Sequence, residues 1–389
     1  MFIGMTTAIH PGEMTKTVYV SLAKVKHGPC LSFFVESSTS PEHVNATLKA
    51  LRREAFIRLG ELGLSAAEAD RFLNPLAPYL KESNLAVADG QTLGIFLSAS
   101  DCSSFSVPLA IRTRLVASQR FYLKPVLPCL LEPQQYHVLA ISENSAHLFQ
   151  CSGHECHKVQ VAGLPKSLKD VFASRDFASS LQAHSSGVPG HQPLTYHGHS
   201  GPVEEVHKNR VAYCRHISAA IEKHLQDCEE ALILACVSEY LPAFREVSRF
   251  KGLVHDAIAG NPDRLTIADI QHASRKMIDA LTKERMLRDI KEYVDVRNTP
   301  RSSSSLAEIL AAVFDGRVKS VFVRAGIDVW GVFDPGTNAL SLNGDAASAG
   351  SEEMLNLAAI ESVLHGGIAC LVPAADMPEN EPIVAVFRY

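Results

Sequence analysis

From Tyr136 onward the side chains alternate between apolar and polar in three short runs, His137–Ser142, Ala146–Gln150 and His157–Val161. Turn residues separate them at Glu143–Asn144 and Ser152–Gly153. Period-two patterning broken by tight turns predicts an antiparallel meander. The period then changes. A helix is predicted over about 166–173, and after a break Tyr213, Ile217, Ile221 and Leu225 recur every four residues. An apolar strand follows at Ala231–Val237, then a helix near 239–248. A long helix runs from about Ile267 to Val294, opened by Thr266 with Asp269 three residues on. A meander followed by alternating helix and strand reads as an α/β fold.

The flanking segments have their own patterns. Upstream, a helix is expected over 41–63, with Ser40 as cap and Pro41 in its first turn. Val44, Leu48, Leu51, Ala55, Leu59 and Leu62 form its apolar stripe. A second helix starts at Ser65, where Ser65 to Glu68 form a capping box. Strands are expected at Leu85–Ala88, Thr92–Leu97, Ser106–Ala110 and Arg114–Ala117, and the proline-bearing stretch 121–131 as a strand or loop. Downstream, Asn298–Ser305 has linker composition. After it come a helix (306–314), strands (318–324, 329–333), a helix (352–365) and strands (367–372, 382–388). The chain has 389 residues, so two or three domains are expected. The boundaries fall at 1–135, 136–300 and 301–389.

Composition narrows the function classes. Hydrophobic residues are 46% and charged residues 20%, which excludes a wholly disordered or collagen-like chain. No apolar run reaches the roughly 18 residues of a membrane span, and the first residues lack a secretory pattern. Nine scattered cysteines fit free thiols in a reducing compartment, so the expected address is the cytoplasm. Net charge is −5, against a basic coat for nucleic acid. The last segment is the most acidic, with 5 basic and 11 acidic side chains in 301–389.

Chemistry-bearing motifs are few. Cys151, His154, Cys156 and His157 are all zinc-binding types, but C-x2-H-x-C-H is a poor tetrahedral spacing, and a hairpin here splits them between two faces; no metal is expected. The aperiodic segment 174–205 is rich in Ser, Gly, His and Pro, and seven of the 17 histidines lie between His184 and His224. Loops of that length are functional or disordered. Lys208, Arg210 and Arg215 cluster at the start of the following helix, where they could contact phosphate or form a solvated face. The single tryptophan, in Asp328-Val-Trp-Gly-Val-Phe-Asp334, reads as packing. No catalytic serine elbow, phosphate loop, dinucleotide fingerprint or HExxH is present, so no cofactor is expected.

Several strings resemble the bacterial relatives of the archaeo-eukaryotic peptide-chain release factor and Pelota families. They are Pro29-Cys-Leu-Ser-Phe-Phe34, Asp89-Gly-Gln-Thr-Leu-Gly-Ile-Phe96 and Arg120-Phe-Tyr-Leu-Lys-Pro-Val-Leu127 in the first segment. In the middle segment they are Tyr136-His-Val-Leu-Ala-Ile141, His147-Leu-Phe149 and Leu164-Pro-Lys-Ser-Leu168. At the end come Asp328–Asp334, Asn356-Leu-Ala-Ala-Ile360, His365-Gly-Gly367 and Ala385-Val-Phe-Arg-Tyr389. The resemblance implies three domains, a ribonuclease-H-like middle one and a C-terminal α-β-α unit similar to RNA-binding ribosomal proteins. It implies a ribosome, tRNA or RNA partner and a role in termination, rescue or translational control. Release factors of this type carry Gly-Gly-Gln in a middle-domain loop. The corresponding string here is Gly190-His191-Gln192, whose histidine adds a Cβ where the family has glycine. The expected role is therefore an adaptor with little or no catalysis, and the alternative is a peptidyl-tRNA ester hydrolase working through Gln192. His197 and His199, in Tyr196-His-Gly-His199, join Lys208, Arg210 and Arg215 as RNA-binding candidates. The acidic C-terminal segment is a candidate surface for a protein partner.

Overall fold

The computed structural model describes residues 12–26, 28–36, 41–81, 91–131, 133, 135–152, 155–172, 202–226, 228, 230–343 and 351–389. Contacts divide the chain into two compact units. One joins 1–132 to 282–389, and the other comprises 133–281.

The first unit opens with β1 (Gly12–Glu13) and a helix the pattern does not reveal, α1 (Lys16–Ala23), capped by Thr15. Then come β2 (Cys30–Glu36), α2 (Pro41–Glu61), α3 (Ala66–Leu73), α4 (Ala77–Lys81), β3 (Thr92–Leu97), β4 (Cys102–Val107) and β5 (Arg114–Ser118). The Ser65–Glu68 capping box forms as expected. The strand expected at Leu85–Ala88 and the Ser40 cap lie outside the described residues. The sheet runs β1-β4-β3-β2-β5. Strand β2, between β3 and β5, is buried at every residue but Glu36, and its buried Ser32 accepts the Tyr122 N–H at 2.9 Å. Leu31, Phe33 and Val35 pack against α2 and α3, while Phe34 turns to the opposite core. The stretch 121–131 is neither strand nor open loop. Pro125 and Pro128, which have no N–H to give a ladder, instead sit at the starts of a 3-10 turn (Lys124–Val126) and of α5 (Pro128–Leu131).

The second unit is a five-stranded sheet, with β6 (Gln135–Ile141), β7 (Ala146–Ser152) and β8 (Glu155–Val159) forming the meander. A helical turn, α6, spans 168–172. Next are α7 (Pro202–His224), β9 (Leu232–Cys236), α8 (Tyr240–Val247), β10 (Leu253–Ala259) and the first half of α9 (Ile267–Val296), whose residues from 282 on belong to the first unit. The order is β10-β9-β6-β7-β8, with β9 parallel to both β6 and β10. Leu139 and Ile141 face α7 and α8, and Tyr136, Val138 and Ala140 face α9. Strand β10 escapes period-two reading because exposed His255-Asp256 fall at a register shift on a sheet edge.

The remainder of the first unit holds β11 (Ser302–Ser303), α10 (Leu306–Phe314), β12 (Val318–Arg324), β13 (Trp330–Asp334), β14 (Ala339–Leu342), β15 (Glu352–Glu353), α11 (Met354–Leu364), β16 (Ile368–Val372) and β17 (Ile383–Phe387). One sheet runs β11-β17-β12-β16 and a smaller one β14-β13-β15. The serine-rich stretch is ordered: Ser302 and Ser303 pair with β17, and Ser303 donates to Glu308 at 2.6 Å. Helix α11 is apolar nearly all round, and ten of its residues are buried. It shares a core with Phe34, Phe96, Phe121 and Tyr122 of the first 132 residues.

Candidate functional site

The loop expected over 174–205 falls in large part on residues 173–201, outside the described residues. Gly190, His191, Gln192, His197 and His199 lie there too. The helix that follows is described. Glu204 and Glu205 occupy the first turn of α7, where carboxylates suit the helix N-terminus. Lys208 pairs with Glu204 at 2.9 Å, one turn back, and both are exposed. Arg215 lies seven residues beyond Lys208, about two turns along one side of the helix. It is exposed, and no carboxylate among the described residues pairs with it. Arg210 points elsewhere: its guanidinium lies 5.3 Å from the Tyr240 ring centroid. The fold thus brings Lys208 and Arg215 to one exposed side and uses Arg210 to pack α7 on α8. Beneath it, the rings of Tyr213 and Tyr240 meet edge to face at 6.3 Å. Burial pushes the Tyr240 hydroxyl up to about 12.

At the carboxyl end of β6, Ser142 and Ser145 donate to Asp263 at 2.9 and 2.6 Å, and Asn144 at 3.4 Å. Burial raises the Asp263 carboxyl, but these donors outweigh it and leave the group below its ordinary range.

Cysteine placement departs from the expectation of nine free thiols. Cys151 and Cys156 face each other across β7 and β8 and form a disulfide, while the other seven are thiols outside any disulfide. The two lie on the α9 side of the sheet, and His157 is exposed in register with Gln150. His154 lies outside the described residues. Among the described residues no three His, Cys, Asp or Glu side chains are grouped to hold a metal.

The densest charge constellation is one that sequence reasoning missed, in the first unit. Asp328 accepts from Lys124 Nζ at 2.8 Å, Arg114 Nη2 at 2.8 Å and Tyr122 Oη at 2.7 Å. Lys124 also pairs with Glu353 at 3.1 Å, and both side chains are almost wholly buried. Burial works against the Asp328 carboxylate, but Lys124, Tyr122 and Arg114 overcome it and hold the group at about 2. Glu353 shifts the other way: burial raises it, with Lys124 opposing in part. A second knot has Arg120 bridging Glu361 at 2.8 Å and Glu352 at 3.5 Å, with Lys26 on Glu361 at 3.1 Å. Between the knots, Asn356 Oδ1 accepts the backbone N–H groups of Leu123 and Lys124 at 2.7 and 2.9 Å, and its Nδ2 donates to the Phe121 carbonyl at 3.0 Å. The one available signal was Asn356 and Glu361 inside an otherwise apolar helix, because buried polar groups need partners. Four of the eleven acids of 301–389 are thereby matched by basic residues of the first 132.

The strings Arg120–Leu127, Asp328–Asp334 and Asn356–Ile360 thus meet at one place. Residues 135–317 match the family described as bacterial archaeo-eukaryotic release factor family 3. The search of curated proteins returns no match. Among solved structures, the crystal structure of the archaeal translation termination factor aRF1 is 12% identical, with 97% of this chain and 99% of that chain covered and a TM-score of 0.25. A ribosome-bound archaeal Pelota, solved with ABCE1, is 10% identical, covering 98% and 95%, with a TM-score of 0.40. Pelota of Archaeoglobus fulgidus is 10% identical, covering 98% and 94%, with a TM-score of 0.32.

Proposed function

We propose that this chain, a relative of the bacterial archaeo-eukaryotic release factors through its middle segment, is a ribosome- or RNA-associated factor in translation termination, rescue or control. The match over residues 135–317 carries the reading. In this reading the middle segment is ribonuclease-H-like, the C-terminal segment is of the RNA-binding ribosomal-protein type, and the protein works in the cytoplasm. Lys208 and Arg215, on one exposed side of α7, are the described candidates for phosphate contact, joined by His197 and His199 from the preceding loop. The acidic C-terminal segment offers a surface for a basic protein partner, reduced by the four acids its own chain holds.

The adaptor role is preferred over hydrolysis because of His191. A release-factor loop approaches the peptidyl-tRNA ester with bare backbone, and a side chain at that position obstructs the approach. The alternative, a peptidyl-tRNA ester hydrolase, rests on Gln192, one residue further, which could orient water. Co-sedimentation with ribosomes at two salt concentrations tests the shared premise: the chain should pellet at low salt and be released at high salt. Failure to pellet at either salt would refute it. A peptide-release assay separates the two roles. A hydrolase loses release with Gln192→Ala while ribosome binding stays unchanged, because a transition-state contact governs rate. An adaptor shows no release above background.

A further inference from the structure

At the end of the middle sheet opposite Ser142 and Asp263 lies a cleft of about 590 Å³. It is lined by the C-terminal end of α7 (Glu222, Leu225, Gln226, Cys228) and by the segment Arg249-Phe250-Lys251-Gly252 that leads into β10. Its size falls within the range of small-ligand sites. All of it lies in the second unit, and none of it belongs to the loop or to the Lys208–Arg215 side of α7.

The chemistry of the lining is one-sided. Its one carboxylate among the described residues, Glu222, is already engaged: it accepts from Ser218 Oγ at 2.7 Å and from the Arg249 backbone N–H at 2.8 Å. Those bonds pin the 248–250 segment to α7. The side chains of Arg249 and Lys251, in contrast, make no ion pair among the described residues, and both are exposed at the cleft. Two unpaired cations at one mouth repel each other and gain most from a shared anion. Lys223 and His224, in the last turn of α7, add basic groups nearby. Phe250, between them in sequence, is half-buried against the core of the unit and also lines the cleft, and Leu225 supplies apolar floor. Gly252 closes the wall with bare backbone, because a Cβ there would meet the Glu230 carbonyl at 2.3 Å. Paired cations flanking an aromatic face in a concave site suit a ligand with a phosphate and a flat ring system.

We propose that this cleft binds a phosphorylated nucleoside, its phosphate against Arg249 and Lys251 and its base on Phe250. The source is a free nucleotide or one nucleotide of a single-stranded RNA. The site does not depend on the ribosome reading, which the sedimentation assay tests separately.

The test is binding of the full chain to AMP and UMP by equilibrium dialysis, and to fluorescein-labelled 12-mer oligo(A) and oligo(U) by anisotropy. The variants are Arg249→Ala/Lys251→Ala, two exposed positions, and Lys166→Ala/Lys169→Ala, two exposed positions near the Ser142 end of the sheet, as the comparison. The proposal expects the cleft double variant to weaken binding about tenfold or more. It should also flatten the salt dependence for the oligomer by about 0.7 in log–log slope, as the loss of one single-strand phosphate contact requires. The comparison variant should leave mononucleotide binding unchanged. Binding of mononucleotide and oligomer, both lost in the cleft variant, identifies the free-nucleotide source, and oligomer binding alone identifies the RNA. No binding of either probe by the wild type would overturn the proposal, as would binding that survives the cleft substitutions with an intact circular-dichroism melt.

Discussion

Lys124 is 2% exposed, yet it is tied to two carboxylates, Asp328 and Glu353. Removing its charge while keeping its stem, as in Lys124→Met, leaves both carboxylates short of a partner in a site with little water. The expected loss is about 3 kcal/mol or more, read from the urea midpoint of the first unit. Asp328 gives a pH signature. Its folded carboxyl titrates at about 2 against an ordinary 3.8, so its contribution is fully present above pH 3.8 and is lost as pH falls through 2. That displacement is worth about 2 kcal/mol. Asp328→Asn should therefore cost about that much at pH 7, and the gap between variant and wild type should close by pH 2. Glu353, raised by burial, works in the opposite direction, and because the Asp328 charge also raises it, the Asn variant relieves part of that shift. A gap that stays constant from pH 7 to pH 2 would show that Asp328 does not gain from its charge.

At the scale of elements, the β7–β8 hairpin carries a covalent tie that spacing alone did not announce. Cys151 and Cys156 are opposite partners, so a six-residue loop is closed. Chain-entropy arguments give such a closure about 2 kcal/mol. Alkylation of the unfolded, unreduced protein should label seven cysteines and spare this pair. Reduction should then lower the midpoint of the second unit by the corresponding amount. Labelling of all nine without reductant would show the pair to be open thiols in solution. Local patterns nonetheless served well where an element is set by its own residues. The expectations for 306–314 and 318–324 coincide with α10 and β12 residue for residue, since Ser305 caps the helix and both elements bury a regular face. Short β14, broken β10 and α1 gave too few periods to read.

At the scale of the molecule, the first 132 residues and the last 108 form one compact unit with a common core. Phe34, Phe96, Phe121 and Tyr122 share it with α10 and α11. Neither part should hold its fold alone, because each would expose the half of the core that the other covers. A protein in which 1–132 is joined to 282–389 through a short Gly/Ser linker should unfold in one cooperative transition. Residues 1–132 alone should instead give a collapsed amide spectrum. A well-dispersed spectrum from 1–132 alone would refute the shared core.

What depends on neighbours along the chain could be read before any coordinates: the meander, the capped helices, the α/β class, and the family likeness over the middle segment. Periodicity and capping act within a few residues, so they are written locally. That Lys124 meets Asp328, 204 positions away, and that Asn356 holds the backbone of Leu123 and Lys124 emerges only from the folded chain. It alone brought Arg249 and Lys251 to a cleft where no described carboxylate pairs with them. Such pairings depend on which surfaces the fold brings together, and a linear pattern of charges carries no record of that choice.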